Sequence, residues 1–152
     1  MIQRIQSAYL LLVVVLMGVT MSMPLGLYVG QDGSLSSFYA YGLELAGAGR
    51  DGSCWGIFAI ALLAAIIAFA TIFLYKNRKL QVRLTIFNIL VTLGWYATFA
   101  AFLMAYNEQL AGATFHCGTG AVLPLVAIIL DLLAIRGIRK DERLVRAADR
   151  LR

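Results

Sequence analysis

Charge is what this sequence has least of. Charged residues make up only 14% of the chain, whereas an average soluble domain carries about 25%. The few charges cluster in short segments, while apolar residues account for 61% of the sequence and the mean hydropathy is +0.82. This distribution excludes an ordinary soluble domain and favours a membrane protein that crosses the bilayer several times. A soluble helical domain with unusually apolar helices is the alternative.

Cysteine and histidine are also scarce, and their spacing excludes several kinds of chemistry. Cys54 and Cys117 do not form a C-x-x-C motif, so a thiol oxidoreductase would lack its usual dithiol. His116 next to Cys117, with Cys54, supplies only three zinc-type ligands and no fourth is evident. The sequence also has no phosphate-binding loop. We therefore predict a non-catalytic protein with no metal and no cofactor.

Four apolar runs are long enough to cross a bilayer, because about 20 helical residues span a hydrocarbon core of about 30 Å. Lipid offers the backbone no hydrogen-bond partner, so each run should be a helix. The predicted spans are residues 7–28, 55–75, 84–106 and 119–138, in a single domain of residues 1–152. A cleaved signal peptide is the alternative for the first, but its apolar run is long and no clean A-x-A motif follows.

Basic residues fall almost entirely on one side of the predicted spans. The loop "KNRKLQVR" between the second and third spans, the carboxyl-terminal residues from Arg136 onward and Arg4 together hold 12 of the 13 basic residues, and Arg50 alone lies on the other side. Positively charged loops stay in the cytoplasm. We therefore predict an all-α, four-transmembrane-helix bundle with both termini cytoplasmic and a cytoplasmic basic tail at residues 139–152.

Residues 29–54 and 107–118 then lie on the outer face. Asp32-Gly33 is a hairpin-turn dipeptide. Within residues 38–45, every second position from 39 onward is a tyrosine or a leucine, which is the alternation of a strand. The segment "GATFHCG" adds a further strand, so we predict a small extracytoplasmic β-hairpin or sheet over the helix ends. An irregular loop with aromatic residues in the membrane interface is the alternative.

The two cysteines belong to this outer face and are candidates for a disulfide bond. Cys54 precedes the second span and Cys117 precedes the fourth, and an oxidising compartment favours pairing. Closing the 62 residues between them would remove at most about 4 kcal/mol of chain entropy. Two separate thiols are the alternative.

Asp131 is the only acidic residue inside a predicted span, where a charge costs about 2.5–3.5 kcal/mol. Depth along the spans places it in a shared polar layer with Asn88, Thr71 and Ser7. We expect the stripe of Thr85, Asn88 and Thr92 to face inward. The layer is either a proton or ion relay or a structural hydrogen-bond cluster. We favour the second, because no other ionisable group lies within the spans.

The chain ends in a basic segment whose apolar residues recur with helical spacing. It predicts an amphipathic helix that either continues the fourth span or turns at Gly137. Acidic residues interrupt the positive charge, so we do not expect nucleic acid. We expect the segment to dock anionic lipid headgroups or a protein, although the charges alternatively serve only to retain the terminus inside. The candidate docking residues are Arg139, Lys140, Arg143, Arg146, Arg150, Arg152, Lys76, Arg78, Lys79 and Arg83.

Three segments carry a family resemblance: "MIQRIQSAYLLL", "FLYKNRKLQVRL" and "AIRGIRKDERLVRAADRLR". Together with the overall pattern, they resemble a domain-of-unknown-function family of small four-span bacterial inner-membrane proteins. The resemblance implies the same topology and a bacterial inner membrane, and it implies no catalytic residues.

Three function hypotheses remain. The leading one is an accessory or scaffold subunit of an inner-membrane assembly, which binds another membrane or cytoplasmic protein. The second is a small ion-coupled transporter that uses Asp131, although no convincing internal repeat is present. The third is a redox enzyme that uses Cys54 and Cys117.

Overall fold

The computed structural model describes residues 2–31, 33–45, 49–75, 77–110 and 112–150. Side chains are described for these residues except 2–4, 50, 51, 146 and 148–150. The helices are α1 (Ile2–Ser22), α2 (Trp55–Phe73), α3 (Arg78–Gln109) and α4 (Thr119–Arg150). The strands are β1 (Gly26–Val29), β2 (Leu35–Tyr39), β3 (Gly42–Leu45), β4 (Gly49–Asp51) and β5 (Thr114–Cys117), and a short 3-10 helix covers Gly52–Cys54. All four α-helices are long and apolar enough to span a membrane.

The helices form a bundle in which each one packs against two neighbours. Helices α1 and α3 both contact α2 and α4. The inward face of α2 carries Ala61, Ala64 and Ala68, which are fully buried and allow close helix approach. Large apolar side chains instead lie on the outside of the bundle, and they include Leu11, Leu12, Leu62, Leu63, Leu90, Leu93, Leu125 and Leu132. So extensive an apolar exterior is unusual for a soluble monomer.

The first helix is shorter at its carboxyl end than predicted. The prediction extended the first span to residue 28, whereas α1 ends at Ser22 and Gly26–Val29 forms β1. Pro24 lacks a backbone N–H and disfavours helical geometry in the residue before it. The chain therefore leaves the helix, and the Leu25 N–H donates to the Phe38 carbonyl oxygen at 2.6 Å. The apolar run continues into β1, of which Gly26 and Tyr28 are buried while Leu27 is exposed.

The strands form one antiparallel sheet in the order β4-β3-β2-β1-β5. Gly33, with φ +77°, lies in the turn between β1 and β2, while Asp32 lies outside the described residues. The alternation over residues 38–45 does not run through one strand, because Ala40 and Tyr41 form a turn between β2 and β3. Phe38 and Leu43 are paired across this turn, and both are buried.

The sheet covers one end of the bundle, which we call the sheet end. An aromatic cluster joins it to α3: the Phe38 ring lies 5.8 Å from the Phe99 ring and 5.7 Å from the Tyr106 ring, centroid to centroid. The Phe58 N–H donates to the Ala40 carbonyl oxygen at 3.2 Å, which ties the sheet to α2. These contacts orient the sheet relative to the helices.

The opposite end, which we call the basic end, is formed by the amino end of α1, the start of α3 and the carboxyl end of α4. The Gln6 side-chain amide Nε2 donates a hydrogen bond to Asp141 Oδ2 at 2.8 Å and so holds α1 against α4. Helix α4 has 32 residues, which is about 48 Å at 1.5 Å per residue. It continues without interruption beyond the predicted end of the fourth span at residue 138, so the tail extends that span and does not turn at Gly137.

Candidate functional site

A buried hydrogen bond links α3 to α4 inside the bundle. The Asn88 Nδ2 donates to Asp131 Oδ2 at 2.8 Å, and both side chains are almost fully buried. Thr85 and Thr92 are buried on the same face of α3, which confirms that this stripe faces inward. Their hydroxyls donate to backbone carbonyls of α3 itself, at Gln81 and Asn88 respectively. Asn88 is therefore the side chain of this stripe that reaches the carboxyl group.

The other two members of the predicted polar layer are placed differently. The buried Thr71 hydroxyl donates to the Ile67 carbonyl oxygen of its own helix at 2.6 Å. Ser7 lies half-buried on α1. Asp131 Oδ1 and Asn88 Oδ1 are buried and accept no hydrogen bond from the described residues. Two acceptor oxygens therefore remain in the interior, where they are able to receive a proton donor or a cation.

The two cysteines lie in different environments. Cys54 is fully buried, and its thiol donates to the Tyr106 hydroxyl oxygen at 3.2 Å. Burial, and secondly the neighbouring Cys54 thiol, raise the pKa of the Tyr28 phenol. Cys117 is exposed at the end of β5. The structure contains no disulfide bond between these two described residues, and the bond stays a prediction.

His116 is exposed on β5, opposite Leu27 of β1. Its side chain lies on the face of the sheet opposite that of Phe115, since successive strand residues alternate. Within the described ranges, no group of three or more His, Cys, Asp and Glu residues is arranged to hold a metal ion.

The basic end brings together the two charged segments that the sequence separates. Arg78, Lys79 and Arg83 lie on the first turns of α3, and exposed Arg139, Lys140 and Arg143 lie on the extension of α4. Exposed Leu144 and Val145 follow on α4. The remaining candidate docking residues are outside the described part of the chain, either entirely or in their side chains: Lys76, Arg146, Arg150 and Arg152.

A groove of about 630 Å³ separates the start of α3 from the extension of α4 at this end. Asn77, Glu142 and Val145 line it together with the basic residues of α3. The sequence prediction named the basic residues of α3 but not Asn77, Glu142 or Val145, and it missed Gln6, which anchors α4 through Asp141. Gln6 lies in a polar stretch at the start of α1 together with Gln3 and Ser7, so no sequence signal singled it out, and nothing in the sequence indicates the groove.

The chain thus has four apolar helices, a sheet at one end and a basic region at the other, and its sequence was compared with known proteins. A search of curated proteins returned no match. A family model described as a domain of unknown function, DUF4293, matches residues 2–151, which is nearly the whole chain. The chain therefore belongs to the DUF4293 family.

Proposed function

We propose that the chain is a non-catalytic protein of the bacterial inner membrane, an accessory or scaffold subunit that docks a partner through its basic tail. The observation that carries this proposal is the extension of α4. A bilayer core of about 30 Å accommodates about 20 helical residues, whereas α4 has 32. The Gln6–Asp141 hydrogen bond supports the extension at its base.

The proposed orientation has both termini in the cytoplasm and the sheet outside. The amino end of α1, the start of α3 and the carboxyl end of α4 lie together at the basic end. Basic residues flanking membrane helices are retained on the cytoplasmic side. The apolar exterior of the bundle supports a lipid environment.

Partner capture with a matched pair of variants tests the docking role. The tagged protein is cross-linked in membranes and the attached proteins are identified. Neutralising Arg139, Lys140 and Arg143 with glutamine should release a partner that the wild type captures. The control replaces exposed Leu35 on the sheet with serine and should keep it. A partner that binds all three proteins equally would exclude docking through the tail.

A second candidate is a small ion-coupled transporter, and the interior oxygens favour it. Asp131 Oδ1 and Asn88 Oδ1 are the acceptors that a proton or cation would need, and they are buried at the contact between α3 and α4. Asp131→Asn removes the ionisable group and retains the side-chain volume. If this variant folds but abolishes proton-driven flux in vesicles that the wild type sustains, transport replaces the scaffold role.

A further inference from the structure

The groove at the basic end carries an excess of positive charge. Arg78, Lys79 and Arg83 contribute three positive charges and Glu142 one negative charge, so two positive charges remain whichever ion pairs form. Lys79 and Arg83 are exposed and Arg78 is half-buried. The groove is therefore complementary to an anion that carries one or two negative charges.

The amino terminus of α3 adds a second source of positive potential. Asn77, Arg78, Lys79 and Leu80 all line the groove, and the first intrahelical bond here runs from the Gln81 N–H to the Asn77 carbonyl oxygen at 3.0 Å. The preceding N–H groups of a helix have no intrahelical partner. The first turn contains no acidic residue and the Asn77 side chain does not cap it. Such a terminus favours a phosphate group.

Apolar side chains in the groove distinguish a lipid from a soluble anion. Leu80 is 41% exposed and Val145 is 45% exposed, and both line the groove beside the cations. Residues 84–106 directly after Arg83 carry no charge, and Arg78 lies only six residues, or about 9 Å, before that segment. The groove therefore adjoins the membrane interface, where phospholipid phosphate and glycerol groups lie.

We propose that this groove is a binding site for the phosphate-containing headgroup of an anionic phospholipid. The proposal deepens the proposed function, on which its membrane setting rests, and it names the ligand of the basic end. Arg78 and Arg83 pair with the phosphate, the first-turn N–H groups of α3 face it, and Leu80 and Val145 contact the adjoining glycerol and upper acyl carbons. The volume of about 630 Å³ is in the range of small-ligand sites, about 300–1,000 Å³.

Native mass spectrometry of the intact, detergent-solubilised chain tests the site with phosphatidylglycerol and phosphatidylcholine as probes. The wild type should retain phosphatidylglycerol in preference to phosphatidylcholine. Arg78→Gln with Arg83→Gln should weaken phosphatidylglycerol binding roughly 30-fold, which corresponds to about 1 kcal/mol per basic side chain. The matched single variants are Arg78→Gln in the groove, which should weaken binding about fivefold, and Arg136→Gln at an exposed position of α4 outside the groove, which should bind nearly as the wild type does.

Three outcomes would overturn the proposal. Equal weakening by Arg78→Gln and Arg136→Gln would mean diffuse attraction to the basic end. Displacement of the lipid by an equal concentration of inorganic phosphate would mean a site for free phosphate; this measurement needs no variant. Leu80→Ser with Val145→Ser should weaken lipid binding and leave the charges intact. If the wild type shows no preference for phosphatidylglycerol but its tail still captures a partner, the groove is rejected and the scaffold role stands. If the preference is present but the tail captures no partner, only the scaffold role is rejected.

Discussion

At the scale of single residues, the Asn88–Asp131 contact combines a strong hydrogen bond with two buried acceptors that the described residues leave without a donor. A buried polar group without a partner lowers the free energy of unfolding. The hydrogen bond between the two side chains, in turn, defines how α3 and α4 are arranged. Polar side chains between membrane helices commonly fix helix register in this way.

Replacing Asp131 with alanine should lower the free energy of unfolding by about 1–3 kcal/mol, because the Asn88 amide loses its acceptor. Asp131→Asn should cost less, since an amide oxygen accepts the same bond. Thermal unfolding in detergent measures both. Leu132→Ala, at a neighbouring exposed position, is the control; an effect there as large as that of Asp131→Ala would contradict a specific role for the carboxyl group.

The cysteines offer a second test at this scale. Cys117 is exposed and Cys54 is fully buried, so a maleimide should label Cys117 in the native protein and Cys54 only after unfolding. Mass spectrometry of the labelled peptides distinguishes the two sites. If neither cysteine reacts before reduction and unfolding, while both react afterwards, the disulfide bond predicted from the sequence is present.

At the scale of elements, α4 depends on α1 for its position at the basic end. Asp141 accepts a hydrogen bond from Gln6, and a Cβ atom added at Gly137 would lie 3.0 Å from the Gln6 Cγ. Gly137 therefore serves close helix packing and does not turn the chain. The small residue lets α1 approach α4 at the level where the charged extension begins.

Gln6→Ala should loosen this extension without unfolding the bundle, because one hydrogen bond of about 0.5–1.5 kcal/mol is lost. Backbone amides of residues 139–150 should exchange hydrogen faster, by up to roughly tenfold. Gln109→Ala, at an exposed position on α3, is the matched control and should leave the exchange unchanged. Equal exchange in the two variants would show that the Gln6–Asp141 bond does not hold the extension.

At the scale of the whole molecule, the chain is polar at its two ends and apolar around its middle. The two ends differ in charge. The basic end carries the described basic side chains that line the groove, and those that lie beside it on α4. The proposed orientation in a bilayer rests on this asymmetry.

Reporter fusions test that orientation. A cytoplasmic reporter should be active when fused after residue 152 and inactive when inserted beside Gly33 in the sheet, and a periplasmic reporter should give the opposite pattern. Reversing the charges of Arg78, Lys79 and Arg83 should reduce this asymmetry, because these residues flank the third span. An active periplasmic reporter at the carboxyl end of the wild type would reject the proposed orientation.

The sequence by itself determined the four apolar helices, and it indicated a small antiparallel sheet while leaving an irregular loop open. Helix length and hydropathy depend on consecutive residues, so they can be read without knowing the fold. Residue spacing also placed Thr85, Asn88 and Thr92 on one inward face. The end of α1 was misplaced by six residues, from 28 to 22, because an apolar run does not distinguish a helix from a buried strand.

Only the tertiary structure decided which distant residues meet. Depth along the spans predicted a polar layer, but side-chain direction decides which of its members bond. Asn88 donates to Asp131, whereas the Thr71 hydroxyl donates to the backbone of its own helix. Packing buried Cys54 fully and left Cys117 exposed. The groove needed the start of α3 and the end of α4 to lie side by side. These arrangements depend on helix rotation and packing, which local sequence patterns do not specify.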